Sequence, residues 1–408
     1  MIISFSAKNY RSIKNRVDFS LRKRGHGQEI IQNSFHPEGL PEKQELLKST
    51  VIYGANASGK SNLIRAVAAM QSVIKHNGVE NSDTRILLEP FRLDGNSRND
   101  PILFEMELIA DGRRFRYGFE CKQEKIVSEW LYGQKKRLVL LFARKDNRFV
   151  ESSPDFAELN AWTKIINDTK LNLPENKLFL STAAKMFSGG ACESVQNWFE
   201  HKLVVVSSDA YQQFPGYTLQ SLKKDDSFAK RVSSLIRKAD LGIQDLTVTI
   251  NDSNQPNQIS AEVQTHHVID GVSYSLDMFF NESEGTKKVF ALSAPLIDIL
   301  LNGKVLFIDE LDAGLHPLLV SHMLEVFHEE NARNAQIIAT AHSPALLTET
   351  LFRRDQVWFA NKDKNGASFF NSLADFTGIR KNFACIVKDY LHGCFGGVPY
   401  IKDLAVEE

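Results

Sequence analysis

The sequence predicts an α/β fold in which a central parallel sheet is flanked by helices. Two apolar runs without alternation, at 305–308 and 336–340, enclose a helical pattern at 316–330 and so indicate a β-α-β unit with fully buried strands. A third apolar run, at 49–53, leads through a glycine-rich turn into another helical pattern. Alternating runs on either side of Asp111-Gly112 indicate a β-hairpin and an antiparallel β subdomain near the N-terminus.

The chain has 408 residues, enough for two domains or for one domain with a large insertion. We expect residues 1–150 to form an N-terminal lobe with the glycine turn and a β-meander, and 151–245 to form an inserted, mostly helical lobe. Residues 246–408 would complete the central sheet. The inserted segment contains no heptad repeat, so a long coiled-coil arm is not expected.

The first elements are two strands, at 2–6 and 17–21, separated by a polar turn that contains Arg11. The apolar run at 49–53 is the next buried strand, and the helix after it begins near Asn62.

The turn between this strand and this helix fits the pattern G-x-x-x-x-G-K-[ST] of phosphate-binding loops. It reads Gly54-Ala55-Asn56-Ala57-Ser58-Gly59-Lys60-Ser61. Backbone N–H groups of such a loop wrap phosphates, and the helix N-terminus adds partial positive charge. Lys60 is expected to reach the β- and γ-phosphates, and the Ser61 hydroxyl is expected to bind Mg²⁺. The expected nucleotide-binding residues are Gly54, Asn56, Ser58, Gly59, Lys60, Ser61 and Asn62.

Two carboxylates, Asp309 and Glu310, follow the apolar run at 305–308 directly. The carboxyl ends of parallel strands form the ligand edge of an α/β sheet, so both side chains are expected beside the phosphates. Asp309 is placed to hold Mg²⁺, and Glu310 is placed to polarise an attacking water, which suits phosphoryl transfer to water. His342 follows the next strand at the same edge and could sense the γ-phosphate.

A weaker pattern, Ser283-Glu284-Gly285-Thr286, stands at the start of a helical segment, where N–H groups and a hydroxyl can bind phosphate. Taken in order, the motifs resemble those of the ABC-type ATPases, in the soluble branch that includes RecF, Rad50, SMC proteins and overcoming-lysogenisation-defect nucleases. More narrowly they resemble the stand-alone AbiL/RloA-like ATPases of abortive-infection loci. The runs that carry this resemblance are Asn9-Tyr10-Arg11-Ser12, the phosphate loop, residues 89–94, residues 283–286, 307–317, 340–344 and the tail 395–401.

The resemblance implies an ATP-dependent homodimer in which two subunits enclose two ATP molecules. Ser283 and Gly285 would contact the γ-phosphate held by Lys60 and Ser61 of the second copy. Asp312 would lie at the subunit interface, and Arg11 would approach the phosphates from the first hairpin. The cofactors implied are ATP and Mg²⁺. The run 361–364 is similar to a guanine signature but has its aspartate one place early, so adenine is the expected base.

The chain departs from the pattern of the resembled family in several ways. Its signature motif is Ser283-Glu284-Gly285-Thr286 and not Leu-Ser-Gly-Gly-Gln, and the helix that follows is called the signature helix below. Only Gln123 and Gln134 are candidates by position for the usual glutamine ligand. No acidic cluster after residue 345 indicates a fused Toprim nuclease. Any nuclease that acts together with this chain is therefore expected to be a separate protein.

Composition narrows the function classes. The formal net charge is −1, which gives no global basic field for nucleic acid, although short basic clusters leave such binding open. The four cysteines have no C-x-x-C spacing, so neither a zinc site nor a redox pair is indicated. The N-terminus lacks the features of a signal peptide, and the longest apolar stretch, 289–301, is too short to span a bilayer. We expect a reduced, cytoplasmic location without a membrane.

The first functional hypothesis is a slow ATPase whose dimer controls a separate effector, a nuclease in this hypothesis, in anti-phage defence. The alternative is a RecF-like ATPase that clamps DNA during its repair or maintenance. A scaffold with a degenerate nucleotide site is the third hypothesis, against which Lys60, Asp309, Glu310 and His342 argue. Assembly beyond the dimer stays open.

Overall fold

The computed structural model describes residues 1–25, 30–76, 86, 88–134, 137–169, 173–207, 214–224, 226–239, 242–251, 260–378 and 383–399. Tyr400 and Ile401, at the end of the tail that carries part of the resemblance, lie outside the described residues.

The described strands form an antiparallel group, most of which lies in the first 152 residues, and a parallel group that makes up most of the central sheet. They are β1 (Ile2–Lys8), β2 (Val17–Ser20), β3 (Ser34–Phe35), β4 (Leu46–Leu47), β5 (Ser49–Gly54), β6 (Ile102–Ala110), β7 (Arg113–Cys121), β8 (Ile126–Gln134), β9 (Leu138–Lys145), β10 (Arg148–Ser152), β11 (Leu203–Val206), β12 (Asp245–Asn251), β13 (Ser260–Ile269), β14 (Val272–Asp277), β15 (Val305–Ile308), β16 (Gln336–Thr340), β17 (Val357–Lys362) and β18 (Ser368–Ser372).

The described α-helices cover both faces of the central sheet and fill much of the inserted segment. They are α1 (Lys60–His76), α2 (Ala157–Thr169), α3 (Phe179–Met186), α4 (Ala191–Asn197), α5 (Phe214–Lys224), α6 (Asp226–Lys238), α7 (Glu284–Asn302), α8 (Pro317–Glu330) and α9 (Phe383–Leu391).

The central sheet has six strands in the order β11-β15-β16-β5-β17-β18. All neighbouring pairs are parallel except β17 and β18. The strand β5 therefore lies between β16 and β17, and the carboxyl ends of β5, β15 and β16 meet at one edge. This edge carries the phosphate loop, the two acids and the histidine.

Alternate residues of the central strands enter two different cores, which explains why their sequences do not alternate with polar residues. Phe307 of β15 packs in the core that contains α1 and the antiparallel sheet. Its neighbours Leu306 and Ile308 pack in the second core, with residues of α7 and α8. Both faces are thus covered, and the phosphate-loop helix α1 is held between the two sheets.

The antiparallel sheet has seven strands in the order β10-β9-β8-β7-β6-β1-β2. The predicted Asp111-Gly112 turn joins β6 and β7, and both of its residues adopt positive φ angles of 49° and 69°. Gln336 at the start of β16 ties this sheet to the central one. Its amide accepts from the N–H of Ile2 at 2.7 Å and donates to the carbonyl of Ile2 at 3.0 Å.

The predicted fold class is confirmed: an α/β fold with an N-terminal antiparallel β subdomain, a central parallel sheet flanked by helices and a mostly helical insertion. The segment 151–245 also contains β11, which pairs in parallel with β15 at Leu203↔Val305 and so belongs to the central sheet. The insertion returns to the core at this strand. The division into 1–150, 151–245 and 246–408 stays a prediction.

Candidate functional site

The phosphate loop lies where β5 ends and α1 begins, at the ligand edge of the central sheet. Lys60 is buried, and its ammonium donates to the carbonyls of Gly54 at 2.6 Å and Ala55 at 3.2 Å. Burial lowers the pKa of Lys60, while the carboxylates of Asp309 and Glu310 act in the opposite direction. The ammonium is therefore fixed across the loop, ready to exchange these carbonyls for the oxygens of an anionic ligand.

Two positions of this loop require glycine for different reasons. A Cβ atom on Gly54 would come within 2.6 Å of the carbonyl oxygen of Ala360 in the adjacent strand β17. Gly59 has φ of 108°, in a region that L side chains rarely adopt, and a Cβ there would overlap the side chain of Ser368. The tight path of the backbone explains both glycines of the motif.

Asp309 is the centre of a hydrogen-bonded group at the end of β15. Its Oδ1 atom accepts from the hydroxyl of Ser61 at 3.1 Å and from the hydroxyl of Thr340 at 2.7 Å. The side chain is completely buried. The predicted pair of Ser61 and Asp309, separated by 248 residues in the chain, is thus brought together.

Glu310 extends into the site from an unusual backbone conformation. Its φ is 53°, in the left-handed region that is rare for residues other than glycine. Its N–H donates to Oγ1 of Thr340 at 2.7 Å, and Oε1 of its carboxylate lies 3.8 Å from Nε2 of His342. Both side chains are about 40% exposed, so solvent and a ligand can reach them.

Asp312 has a role within the chain that its motif did not predict. Its Oδ2 atom accepts from the N–H groups of His342 at 2.9 Å and Ser343 at 2.6 Å. The residue is only 8% exposed. This carboxylate fixes the backbone of the segment that follows β16, which we call the histidine loop (residues 341–344). The expected position of Asp312 at a subunit interface stays a prediction.

Ser283 is the N-cap residue of α7, and Gly285 lies in the first turn of that helix. Ser283 is exposed and caps the helix, since its Oγ accepts from the N–H of Thr286 at 3.1 Å. A Cβ atom on Gly285 would lie 2.9 Å from the carbonyl oxygen of Gly314, so this glycine allows the helix start to touch the turn after β15. Neither residue lines the cavity around the phosphate loop of its own chain.

The first hairpin reaches the phosphate loop through Ser12. The Oγ atom of Ser12 accepts from the side-chain amide of Asn62 at 2.7 Å and from the hydroxyl of Ser368 at 2.7 Å. The neighbouring Arg11 has its Nε atom 3.8 Å from a carboxylate oxygen of Glu89 and does not line the cavity. Its approach to the phosphates of a bound nucleotide stays a prediction.

A cavity of about 460 Å³ lies beside the phosphate loop. It is lined by residues 55–62 of the phosphate loop together with Arg65, Glu310, His342 and Lys362. The sequence patterns did not identify Arg65 or Lys362 as site residues. Arg65 lies one helical turn after Ser61 in α1, and Lys362 ends β17, the strand next to β5. The patterns also missed Thr340, whose only signal was its place at the end of an apolar strand.

The oxygen atoms at the site fit a magnesium ion. Mg²⁺ is bound in proteins through one or two carboxylates plus substrate phosphates and waters, not by an all-protein cage. The hydroxyl of Ser61 beside the buried carboxylate of Asp309 supplies that donor set. The described residues contain no group of three His, Cys, Asp or Glu side chains able to hold a metal by themselves.

None of the described helices is both long and apolar enough to cross a membrane.

Comparison with known proteins places these features in a family. No curated protein matches the chain. Solved structures that resemble it include an SMC head bound to the C-winged helix domain of ScpA, with 11% identity over 91% of this chain and 97% of that chain and a TM-score of 0.47. An SMC head domain from Thermotoga maritima has 13% identity, coverage of 91% and 98%, and a TM-score of 0.41.

A third structure is an Smc head domain with an extended coiled coil bound to the C-terminal domain of ScpA, derived from Pyrococcus furiosus. It has 11% identity, coverage of 96% of this chain and 99% of that chain, and a TM-score of 0.44. Likenesses at this level add no argument to what the fold and the site themselves show.

The sequence profile of one family matches residues 49–161 and 217–348, which include the phosphate loop, Ser283, both acids and His342. The matched segments cover more than half of the chain and are interrupted within the insertion. The chain therefore belongs to the family described as "AAA domain, putative AbiEii toxin, Type IV TA system", a group of AAA/ABC-type ATPase domains.

Proposed function

We propose that the chain binds ATP with Mg²⁺ and hydrolyses it slowly. The observation that supports this most directly is the group formed by Ser61, Asp309, Thr340 and Glu310 beside the ammonium of Lys60. Mg²⁺, held by Ser61 and Asp309, would neutralise charge on the phosphates. Glu310 would accept a proton from the attacking water, and His342 would contact the γ-phosphate.

We further propose that the working unit is an ATP-dependent homodimer. Ser283 and Gly285 do not line the cavity of their own chain, which supports a signature that contacts the ATP of a second copy. Contacts made only when nucleotide is present would favour the dimer, and hydrolysis would release it. Asp312 would stabilise the histidine loop at the edge of this interface.

The proposed biological role is control of a separate effector in anti-phage defence, by an ATPase of the AbiL/RloA-like kind. The name of the matched family, which refers to an AbiEii toxin and a type IV toxin–antitoxin system, supports a setting of this kind. The effector would be a nuclease encoded beside the ATPase. Purification of the tagged protein from phage-infected cells, followed by mass spectrometry, would identify it.

The catalytic part of the proposal is tested with Glu310→Gln and Lys60→Ala. Loss of a general base lowers turnover about 100- to 10,000-fold, so Glu310→Gln should bind ATP and Mg²⁺ but hardly hydrolyse it. Size-exclusion chromatography with ATP should then show a long-lived dimer for Glu310→Gln and a monomer for Lys60→Ala. Glu330→Gln, the same change at an exposed residue of α8, is the matched control and should behave as the unaltered chain.

A monomeric Glu310→Gln protein at saturating ATP would contradict the dimer proposal. Mixing Lys60→Ala with Ser283→Arg subunits gives a second test, since such a heterodimer retains one complete composite site. Absence of any activity in that mixture would show that Ser283 does not act on the nucleotide of the second copy. DNA binding with a steep dependence on salt would instead favour the RecF-like alternative.

A further inference from the structure

Lys288 lies in the second turn of α7 and reaches across to the segment that follows β15. Its ammonium donates to the carbonyl oxygen of Glu310 at 2.7 Å and to that of Ala313 at 2.6 Å. One side chain of the signature helix therefore holds both ends of the turn that begins at the proposed general base. Nothing in the motif Ser283–Thr286 or in the family match assigns a role to this residue.

The backbone of Glu310 is held on both sides of its Cα atom. Thr340 accepts from its N–H at 2.7 Å, and Lys288 donates to its carbonyl. Glu310 itself has a φ of 53°, a backbone conformation that residues other than glycine rarely adopt. Such a conformation persists only where surrounding groups determine it, and it sets the direction in which the carboxylate leaves the backbone.

The same helix start is packed against the far end of that turn. Gly285 approaches the carbonyl oxygen of Gly314 so closely that a Cβ atom would lie 2.9 Å from it. Ser283, which caps the helix, is five residues before Lys288. Because α7 is a continuous helix whose central residues are buried, a shift of its N-terminus would move Ser283, Gly285 and Lys288 together.

The electrostatic setting suits a cation at this position. Burial lowers the pKa of Lys288 to about 8, and the carboxylates of Asp312, Glu310 and Asp309 act against that decrease. The ammonium form, which can donate to two carbonyls at once, is therefore present at neutral pH. An apolar side chain of similar length, such as methionine, has no N–H group to donate to either carbonyl.

We propose that Lys288 is a positioning residue that fixes the backbone of Glu310 and couples it to the signature helix. The inference rests on the proposed function. In the dimer, Ser283 of one chain contacts the nucleotide of the second copy, whereas Glu310 serves the nucleotide of its own chain. Lys288 thus connects the two ATP sites, so that engagement of one signature adjusts the general base of the other site.

The test compares Lys288→Met with Lys287→Met and the unaltered chain. Methionine keeps the length of the lysine side chain but cannot donate. Lys287 is the adjacent residue, and its ammonium pairs with the exposed carboxylate of Glu284, so it controls for loss of one charge on the same helix. Loss of a group that orients a catalytic residue commonly lowers activity about 10- to 100-fold.

Lys288→Met should lower kcat by that factor while KM and the affinity of the monomer for ATP remain unchanged, and Lys287→Met should not. Lys288→Arg, which can donate to both carbonyls, should restore part of kcat. Hydrogen–deuterium exchange without nucleotide gives a readout independent of activity. Lys288→Met should speed exchange of the amides in residues 311–314, and Lys287→Met should not.

Unchanged kcat and unchanged exchange in a folded Lys288→Met protein would overturn the inference. A parallel loss of ATP affinity and thermal stability would also overturn it, because that pattern indicates a purely structural role. If Lys288→Met does not fold, Lys288→Ala, which also cannot donate to the two carbonyls, is judged by the same criteria. If the unaltered chain itself hydrolyses no ATP, the proposed function fails, and the exchange experiment still decides the role of Lys288.

Discussion

Replacing Thr340 with valine would measure how far the acidic site depends on one hydroxyl group. Thr340 is completely buried, and its Oγ1 atom donates to Asp309 and accepts from the N–H of Glu310, both at 2.7 Å. Valine has nearly the same shape, so no cavity is created. A hydrogen bond to a charged group contributes about 1.5–3 kcal/mol and a neutral one about 0.5–1.5 kcal/mol, which together predict a loss of about 2–4.5 kcal/mol.

The matched control is Thr340→Ser, which keeps the hydroxyl and removes one buried methyl group, at a cost of about 1 kcal/mol. Urea denaturation of the nucleotide-free protein would give both differences in free energy of unfolding. ATP turnover should fall for valine and be largely retained for serine, because only valine releases the backbone of Glu310. Equal stability and equal turnover of the two variants would refute the assignment of these hydrogen bonds.

Two further predictions concern stability away from the site. Burial lowers the pKa of His328 to about 4, so the folded protein resists protonation of this side chain. Above the unfolded pKa of about 6.5 this histidine causes no loss of stability, and the free energy of unfolding decreases as the pH falls from there towards 4. Between about pH 7 and pH 5 this contributes a loss of about 2 kcal/mol, which should be absent from the pH profile of His328→Gln in urea titrations. Arg144→Met should lower the free energy of unfolding by about 3–5 kcal/mol, because it leaves the fully buried carboxylate of Glu129 without its guanidinium partner. Exposed Arg148→Met is its control, and a loss below about 1 kcal/mol for Arg144→Met would contradict the assigned ion pair.

The local parts of the site were predictable because each is a short pattern with its own physical reason. The loop 54–61 connects the buried strand β5 to α1, and Asp309 and Glu310 directly follow β15, as expected. These elements are long or distinctive enough for periodicity and glycine placement to identify them. The patterns placed Ser61 and Asp309 at the same edge of the sheet, but they could not give the direct hydrogen bond between the two side chains, since that contact depends on the strand order of the sheet.

The missed features depend on partners far away in the chain. The four apolar residues of β11 could equally belong to the apolar face of a helix in the inserted segment. Only their pairing with β15 makes them a strand of the central sheet. Thr340 and Lys288 are ordinary residue types in their elements, and their importance comes from contacts with the backbone of Glu310. Propensity and spacing carry no information about such long-range contacts.

The position of β5 has a consequence for synthesis of the protein. Both of its hydrogen-bonded neighbours, β16 and β17, come from residues about 290 to 310 positions later, as the pairs Ser49↔Ile337 and Val51↔Val357 show. A nascent chain that has not yet reached residue 336 therefore carries an apolar strand with two open edges. Such edges promote aggregation, and closure of distant contacts is slow. The ribosome-bound chain should thus depend on chaperones until about its last fifth emerges, and the nucleotide site can form only near the end of translation.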